Sequence, residues 1–229
     1  MEAMAQERKR QVATIMQARA AYINGLWTPQ TKDIISGQPL QKPRHSVTAI
    51  VPKTREKWTD EPVLGAVKDA SQSIWNDALS PKGYSPGAII WPVKDGDAPN
   101  KKGVVRDWAK GHWLIIADTT NPDYLQIEMV ENGKPVPLAA PRIGGRVLVK
   151  DGDYVMLTVS LAESKGSQPG IKTYLNAILF TGPGEALTLG GGGVDQAELL
   201  RQAQAQGIAV KGFGSAPSGW SAPSGDSPF

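Results

Sequence analysis

The chain has 229 residues, of which 40% are hydrophobic, 21% charged and 7% aromatic, with 25 glycines and 18 prolines, a balance that suits one globular domain with a loose segment attached. Cysteine is absent and only His45 and His112 represent histidine, which removes disulfides and thiolate chemistry and leaves a zinc hydrolase or a histidine triad poorly supplied. The net charge of +3 is uneven: residues 183–229 carry Arg201 and Lys211 against Glu185, Asp195, Glu198 and Asp226, so the basic surplus sits in the body, as chance or a polyanion-binding domain would place it.

No run approaches the roughly 18 apolar residues of a membrane-spanning helix. Met1 to Arg10 is charged where a signal peptide needs an apolar run, which argues against secretion. Residues 1–17 read as an N-terminal arm, residues 18–189 as the domain and residues 190–229 as a tail. Ser46 to Val51 alternates and stops at Pro52. A helix is expected over Asp60 to Leu79, where Val63, Leu64, Val67, Ile74, Trp75 and Ala78 share a face, with Thr59 or Asp60 as its cap and Trp58 stapling its start. Asp95-Gly96-Asp97 reads as a turn, since it lacks the ligand set of a calcium loop. Trp113 to Ala117 is a compact apolar run. Tyr124 to Met129 alternates and ends at the tight-turn pair Asn132-Gly133. Arg146 to Lys150 turns at Asp151-Gly152. Tyr154 to Leu161 and Ile171 to Phe180 flank a polar loop. Gly190 to Gly193 marks the strongest boundary, Asp195 to Ala203 reads as a short helix, and Gly212 to Phe229 as a flexible tail. Short strands plus one helix predict an all-β fold with one helix, a small closed or partly open barrel.

Alternation sorts the faces. Val155, Leu157, Val159 and Leu161 should fill the core, with Tyr154, Met156, Thr158 and Ser160 opposite. In the last strand Thr173, Leu175, Ala177 and Leu179 are assigned one face and Lys172, Tyr174 and Asn176 the other. If the two strands pair as a hairpin, Tyr154, Tyr174, Lys172 and Asn176 meet on one outer surface, where a base can stack and an ammonium can meet its phosphate. Cross-strand packing of the tyrosines is the competing reading. A second cluster interleaves Lys101, Lys102, Arg106 and Lys110 with Trp108, His112 and Trp113, the densest mix of phosphate-tracking and base-stacking groups in the chain. Trp113 is assigned to the core. Trp27 and Trp91 each lie near a proline at a strand end and can stack on a base or seal the barrel. His45 falls in the core-facing set, and Lys42 and Arg44 line a groove or solvate an edge strand. No phosphate-binding glycine loop and no Gly-x-Ser-x-Gly elbow is present.

Taken together, Ala20 to Pro29, His45 to Lys53, the Asp60 to Leu79 helix, Gly111 to Ile115, Asn132 to Pro135 and Gly170 to Ile178 resemble, in order and spacing, the OB-fold single-stranded-DNA-binding proteins of tailed bacteriophages. Gly225-Asp226-Ser227-Pro228-Phe229 looks like the tail tips of bacterial and phage single-strand-binding proteins. The resemblance implies an OB-fold-like barrel with a flexible tail and no cofactor or metal. It implies a non-enzymatic protein that binds single-stranded DNA without sequence preference in replication, recombination and repair in the bacterial host cytoplasm. Its Asp226, Pro228 and Phe229 would dock replication or recombination proteins. Against the family pattern the tip is weakly acidic, and the Glu163 to Gly170 loop lacks aromatics, leaving Lys165 to grip backbone. No membrane partner is expected; a homo-oligomer or a cooperative array on DNA is compatible with the sequence. The alternative is a structural or interaction barrel whose tail recruits a partner. An enzyme has least support, because no acid–base pair or nucleophile stands out.

Overall fold

The computed structural model describes residues 10–32, 38–100, 103–164 and 168–189. The chain divides into the units Met1–Leu189 and Gly190–Phe229, and every described residue belongs to the first. Lys101, Lys102, Lys165, the expected 195–203 helix and the tip residues Asp226, Pro228 and Phe229 lie outside the described residues.

Eleven strands form among the described residues: β1 (Gln11–Ala21), β2 (Gln30–Lys32), β3 (Pro39–Pro52), β4 (Val93–Asp95), β5 (His112–Thr119), β6 (Gln126–Glu131), β7 (Lys134–Pro137), β8 (Arg142–Ile143), β9 (Arg146–Val147), β10 (Tyr154–Glu163) and β11 (Ile171–Gly182). The expected boundary between arm and domain at residue 17 therefore falls inside β1. Five strands close a ring in the order β1, β3, β5, β11, β10 and back to β1. All neighbours are antiparallel except β5 and β11, which meet in parallel at Asp118 and Tyr174. Numbered within the ring, that is the 1-2-3-5-4-1 path of a Greek-key barrel, the OB-fold architecture.

Inward residues follow from the pleat. Val47, Ala49 and Val51 of β3, Trp113, Ile115 and Ala117 of β5, and Val155, Leu157, Val159 and Leu161 of β10 are all 5% exposed or less. Each buried Val, Leu or Ile among them contributes about 1.5–3 kcal/mol. In β11 the expected phase holds only to Leu175. Asn176 is an extra residue opposite β10, where Thr158 pairs with Ala177 and Val159 with Leu175. This bulge flips the pleat, so Ile178 and Phe180 are buried in place of the expected Ala177 and Leu179.

The helix α1 (Gly65–Ile74) packs Val67, Ala70 and Ile74 against the barrel and continues as a π-turn over Trp75–Leu79. It begins later than the apolar pattern suggests. Glu61 precedes Pro62, whose ring disfavours the helical region for its predecessor, and Glu61 sits at φ −77°, ψ 115°. Neither Thr59 nor Asp60 caps it. The buried Glu61 carboxylate instead accepts from the Thr54 amide and hydroxyl at 2.8 and 2.9 Å. Trp58 does not staple the start; it packs on Trp91.

Two turns hold the barrel ends. Asn132 and Gly133 have positive φ between β6 and β7, as a two-residue hairpin needs. Gly152 has φ +104°, and a Cβ there would lie 1.9 Å from the Glu185 carbonyl oxygen, so only glycine lets the segment after β11 close over this turn. Asp153 fastens the same segment by accepting from the Gly184 amide at 3.0 Å and the Lys150 ammonium at 2.7 Å. Burial holds the neighbouring Asp151 carboxyl above its ordinary range.

Candidate nucleic-acid interface

The parallel seam between β5 and β11 is open on both sides of its single contact. Strand β5 pairs with β4 through Trp113 to Ile115 and is paired with β11 only at Asp118. Strand β11 then turns to β6 from Ala177 onward. Two clefts flank the contact. One, about 220 Å³, is lined by Trp91, Lys94, Ile116, Asp118, Gln168 and Lys172, among others. The second, about 430 Å³, is lined by Arg10, Asn121, Tyr124, Tyr174 and Asn176, among others.

Alternation explains the floor. With Trp113, Ile115 and Ala117 inward, Ile116 and Asp118 must face out, and Ile116 is 45% exposed. Tyr174 is half-buried on the outer face of β11, opposite Ser160. The Arg10 guanidinium lies 5.3 Å and the Lys172 ammonium 5.0 Å from its ring centroid. Lys172 also meets Asp118 at 2.9 Å, and Arg44 approaches the same carboxylate at 3.9 Å. Asp118 thus ties cations from β3 and β11 into one cluster that keeps a net positive charge. Asn176 donates to the Ser160 hydroxyl at 2.7 Å. Tyr124, in the turn before β6, is 77% exposed at the edge of the larger cleft.

The structure brings Lys172, Tyr174, Asn176, Arg44 and Trp91 to this seam and separates other sequence candidates from it. Tyr154 pairs with Gly182 and Tyr174 with Ser160, which puts the two tyrosines roughly 20 Å apart along the hairpin at ~3.3 Å per residue. They do not form the shared platform expected. Trp27 stacks on the buried Phe180 at 6.3 Å and 19°, and its indole N–H donates to the Leu138 carbonyl, so it seals the barrel end away from the seam. Lys42 is exposed in β3, two residues before Arg44. Trp91 is held by Trp58 and Trp75 at 6.1 and 6.0 Å, and its indole N–H donates to the Pro86 carbonyl. Among the histidines, His45 makes a 2.8 Å hydrogen bond with the Leu26 carbonyl, a structural role.

The described part of the second cluster, residues 103–113, gathers away from the seam. Trp108 meets Tyr22 edge-on at 5.6 Å, and Arg106 lies 5.7 and 5.8 Å from the two rings while donating to the Tyr22 hydroxyl at 2.8 Å. Ala21, just before Tyr22, shares a cross-strand row with Thr48 and Ile116, so the cluster stands about 10 Å, two strand spacings, from the seam floor. Lys110 is paired with Asp107 at 2.7 Å, and each holds the other's pKa toward its charged form. Trp113 is core, its face covered by Lys53 at 4.5 Å. Lys53 is in turn clamped by Asp95 and Asp97, which confirms the 95–97 turn as a structural device.

Sequence reasoning missed Arg10, Tyr22, Ile116, Asp118 and Tyr124. The β5 alternation alone would have exposed Ile116 and Asp118; the others are brought in by long-range packing that leaves no local signal.

No family model matches the chain, and no curated protein matches it in sequence. Solved structures do match. A C-terminal truncation of the single-stranded DNA-binding protein from bacteriophage Enc34 is 18% identical, over 77% of this chain and 88% of that one, with TM-score 0.52. The same protein in complex with ssDNA gives 16% identity, 77% and 89% coverage, and TM-score 0.53. At these identities the shared feature is the fold, an OB-type barrel with one helix, which the strand topology reaches independently.

Proposed function

We propose that the chain binds single-stranded DNA without sequence preference across the β5–β11 seam. The observation that carries this reading is the setting of Tyr174: a half-buried outer-face ring with two cations, Arg10 and Lys172, 5.3 and 5.0 Å from its centroid, in one cleft with the exposed Tyr124. Every base has a π-face that can stack on a tyrosine, and flanking cations meet the phosphates on either side. Position supports the reading too. OB-folds bind oligonucleotides on the face of their second and third ring strands, bordered by the loop between the fourth and fifth. Here those are β3, β5 and the segment joining β10 to β11, whose Gln168 lines the smaller cleft. The Enc34 protein of the same fold is one seen with ssDNA.

On this reading the protein is a bacteriophage component that protects and organises single strands in replication, recombination and repair in the host cytoplasm, by binding and not by catalysis. The Asp226, Pro228 and Phe229 tip as a handle for partner proteins rests on sequence alone. The test is a fluorescence-anisotropy titration of labelled oligo-dT against the matching duplex at two salt concentrations. Salt-sensitive binding that prefers the single strand is expected. No binding at low salt would overturn the reading.

A further inference from the structure

We infer that the bound strand leaves the seam across Trp91 and enters a tryptophan-lined cavity beside α1, which serves as a second subsite for a base and its phosphates; the inference rests on the ssDNA reading above. Trp91 lines both spaces. It borders the smaller seam cleft with Lys172 and Asp118, and it borders a cavity of about 350 Å³ with Trp58, Trp113, Lys57 and Lys68. That volume lies in the range of about 300–1,000 Å³ typical of small-ligand sites. The three spaces follow one another. Lys172 and Thr173 line the smaller cleft and Tyr174 to Asn176 the larger, so β11 joins these two, and Trp91 joins the smaller one to the cavity.

The cavity has the two components a single strand needs. Its aromatic wall is pre-set: Trp58 tilts 51° against Trp91, which tilts 36° against Trp75, and the Trp91 N–H is held by the Pro86 carbonyl. Indoles fixed by one another lose little freedom when a base stacks on them. Trp113 is buried and forms floor, while Trp58 and Trp91 keep accessible surface. The rim carries Lys57, from the turn before α1, and Lys68, from α1 itself, both exposed. Glu56 on the same rim offsets one of the two charges. Packing of the helix on the barrel accounts for the tryptophans but not for a lysine-rimmed opening that shares Trp91 with the seam cleft.

The experiment compares two oligo-dT lengths on the full chain, about 5 and about 16 nucleotides, near the limits for one OB-fold, with the Lys57→Gln/Lys68→Gln double variant. Both lysines are exposed, so the variant should melt as wild type. Wild type should bind the long oligonucleotide much more tightly than the short one. The variant should lose about tenfold or more on the long strand only, with a salt slope lower by about 1.4, or 0.7 per lost phosphate contact. A variant that matches wild type on both lengths would overturn the inference and leave the seam reading intact. A wild type that binds neither length would overturn the seam reading, and the inference with it.

Discussion

Tyr174→Ala is the sharpest perturbation of the seam. The ring is half-buried on the outer face, and its backbone keeps its pairing with Ser160 whatever the side chain. The fold loses part of one ring's burial and two cation contacts, worth roughly 0.5–1 kcal/mol each at an exposed site. Binding loses one stacking platform, worth about 1–3 kcal/mol, which is roughly a 5- to 150-fold rise in Kd. Arg10 and Lys172 stay, so the dependence of affinity on salt should hardly change. Tyr174→Phe keeps the π-face and should bind within about twofold of wild type. The assay is anisotropy with oligo-dT at several salt concentrations, with a thermal melt of each variant as control. If Tyr174→Ala melts normally and binds as wild type does, the strand does not stack at the seam and the placement of the site is wrong.

Further outcomes test neighbouring assignments. Trp27→Ala should lower the melting temperature through loss of the Phe180 stack, about 1 kcal/mol or more, yet leave ssDNA affinity per folded molecule unchanged; a selective loss of affinity would return Trp27 to the interface. Asp118→Asn removes the acid that faces Lys172 and Arg44, so anisotropy should show tighter binding at low salt and a salt slope steeper by up to about 0.7 for each cation released to phosphate. Asp97 is held below the ordinary carboxylate range by the Lys53 hydrogen bond and then by the Gly111 amide. A depressed folded pKa stabilises above the unfolded value and is lost as pH falls through the folded one. The stability gap between wild type and Asp97→Asn, read by thermal melts, should therefore be widest at neutral pH and close below about pH 4.

What could be read from sequence depended on whether the signal was local. Strand β10 alternates from Tyr154 to Leu161, and Val155, Leu157, Val159 and Leu161 are buried as alternation names, although Ser160 of the opposite set is buried as well. Strand β11 has the same apolar content, but the Asn176 bulge inserts one residue without changing composition, so period-2 reasoning misplaced Ala177 and Leu179 beyond it. The helix start moved for a reason present in the sequence, the restriction that Pro62 puts on Glu61. The apolar pattern outweighed it because Val63 and Leu64 continue the stripe through a turn that is not yet α-helix.

The site follows the same division. Lys172 and Tyr174 precede the bulge, so alternation placed them on the outer face. Tyr154 was placed on the correct face of its own strand, but the distance to Tyr174 is a matter of hairpin register, which face reasoning does not contain. Arg10 and Tyr124 belong to segments more than a hundred residues apart and come together at Tyr174 only because β11 changes neighbour from β5 to β6. That change of neighbour also explains why the cations gather here. Where β5 and β11 part, two strand edges leave backbone and outward side chains accessible within one cleft, and an open edge must be covered, paired or charged. This edge carries Lys172, Arg44 and Arg10 around Asp118 and Tyr174. Charging the edge guards the barrel against strand addition by another chain. The same charges beside an accessible ring make a surface suited to a polyanion with stackable bases, so one local solution serves both the closure of the fold and the capture of a strand.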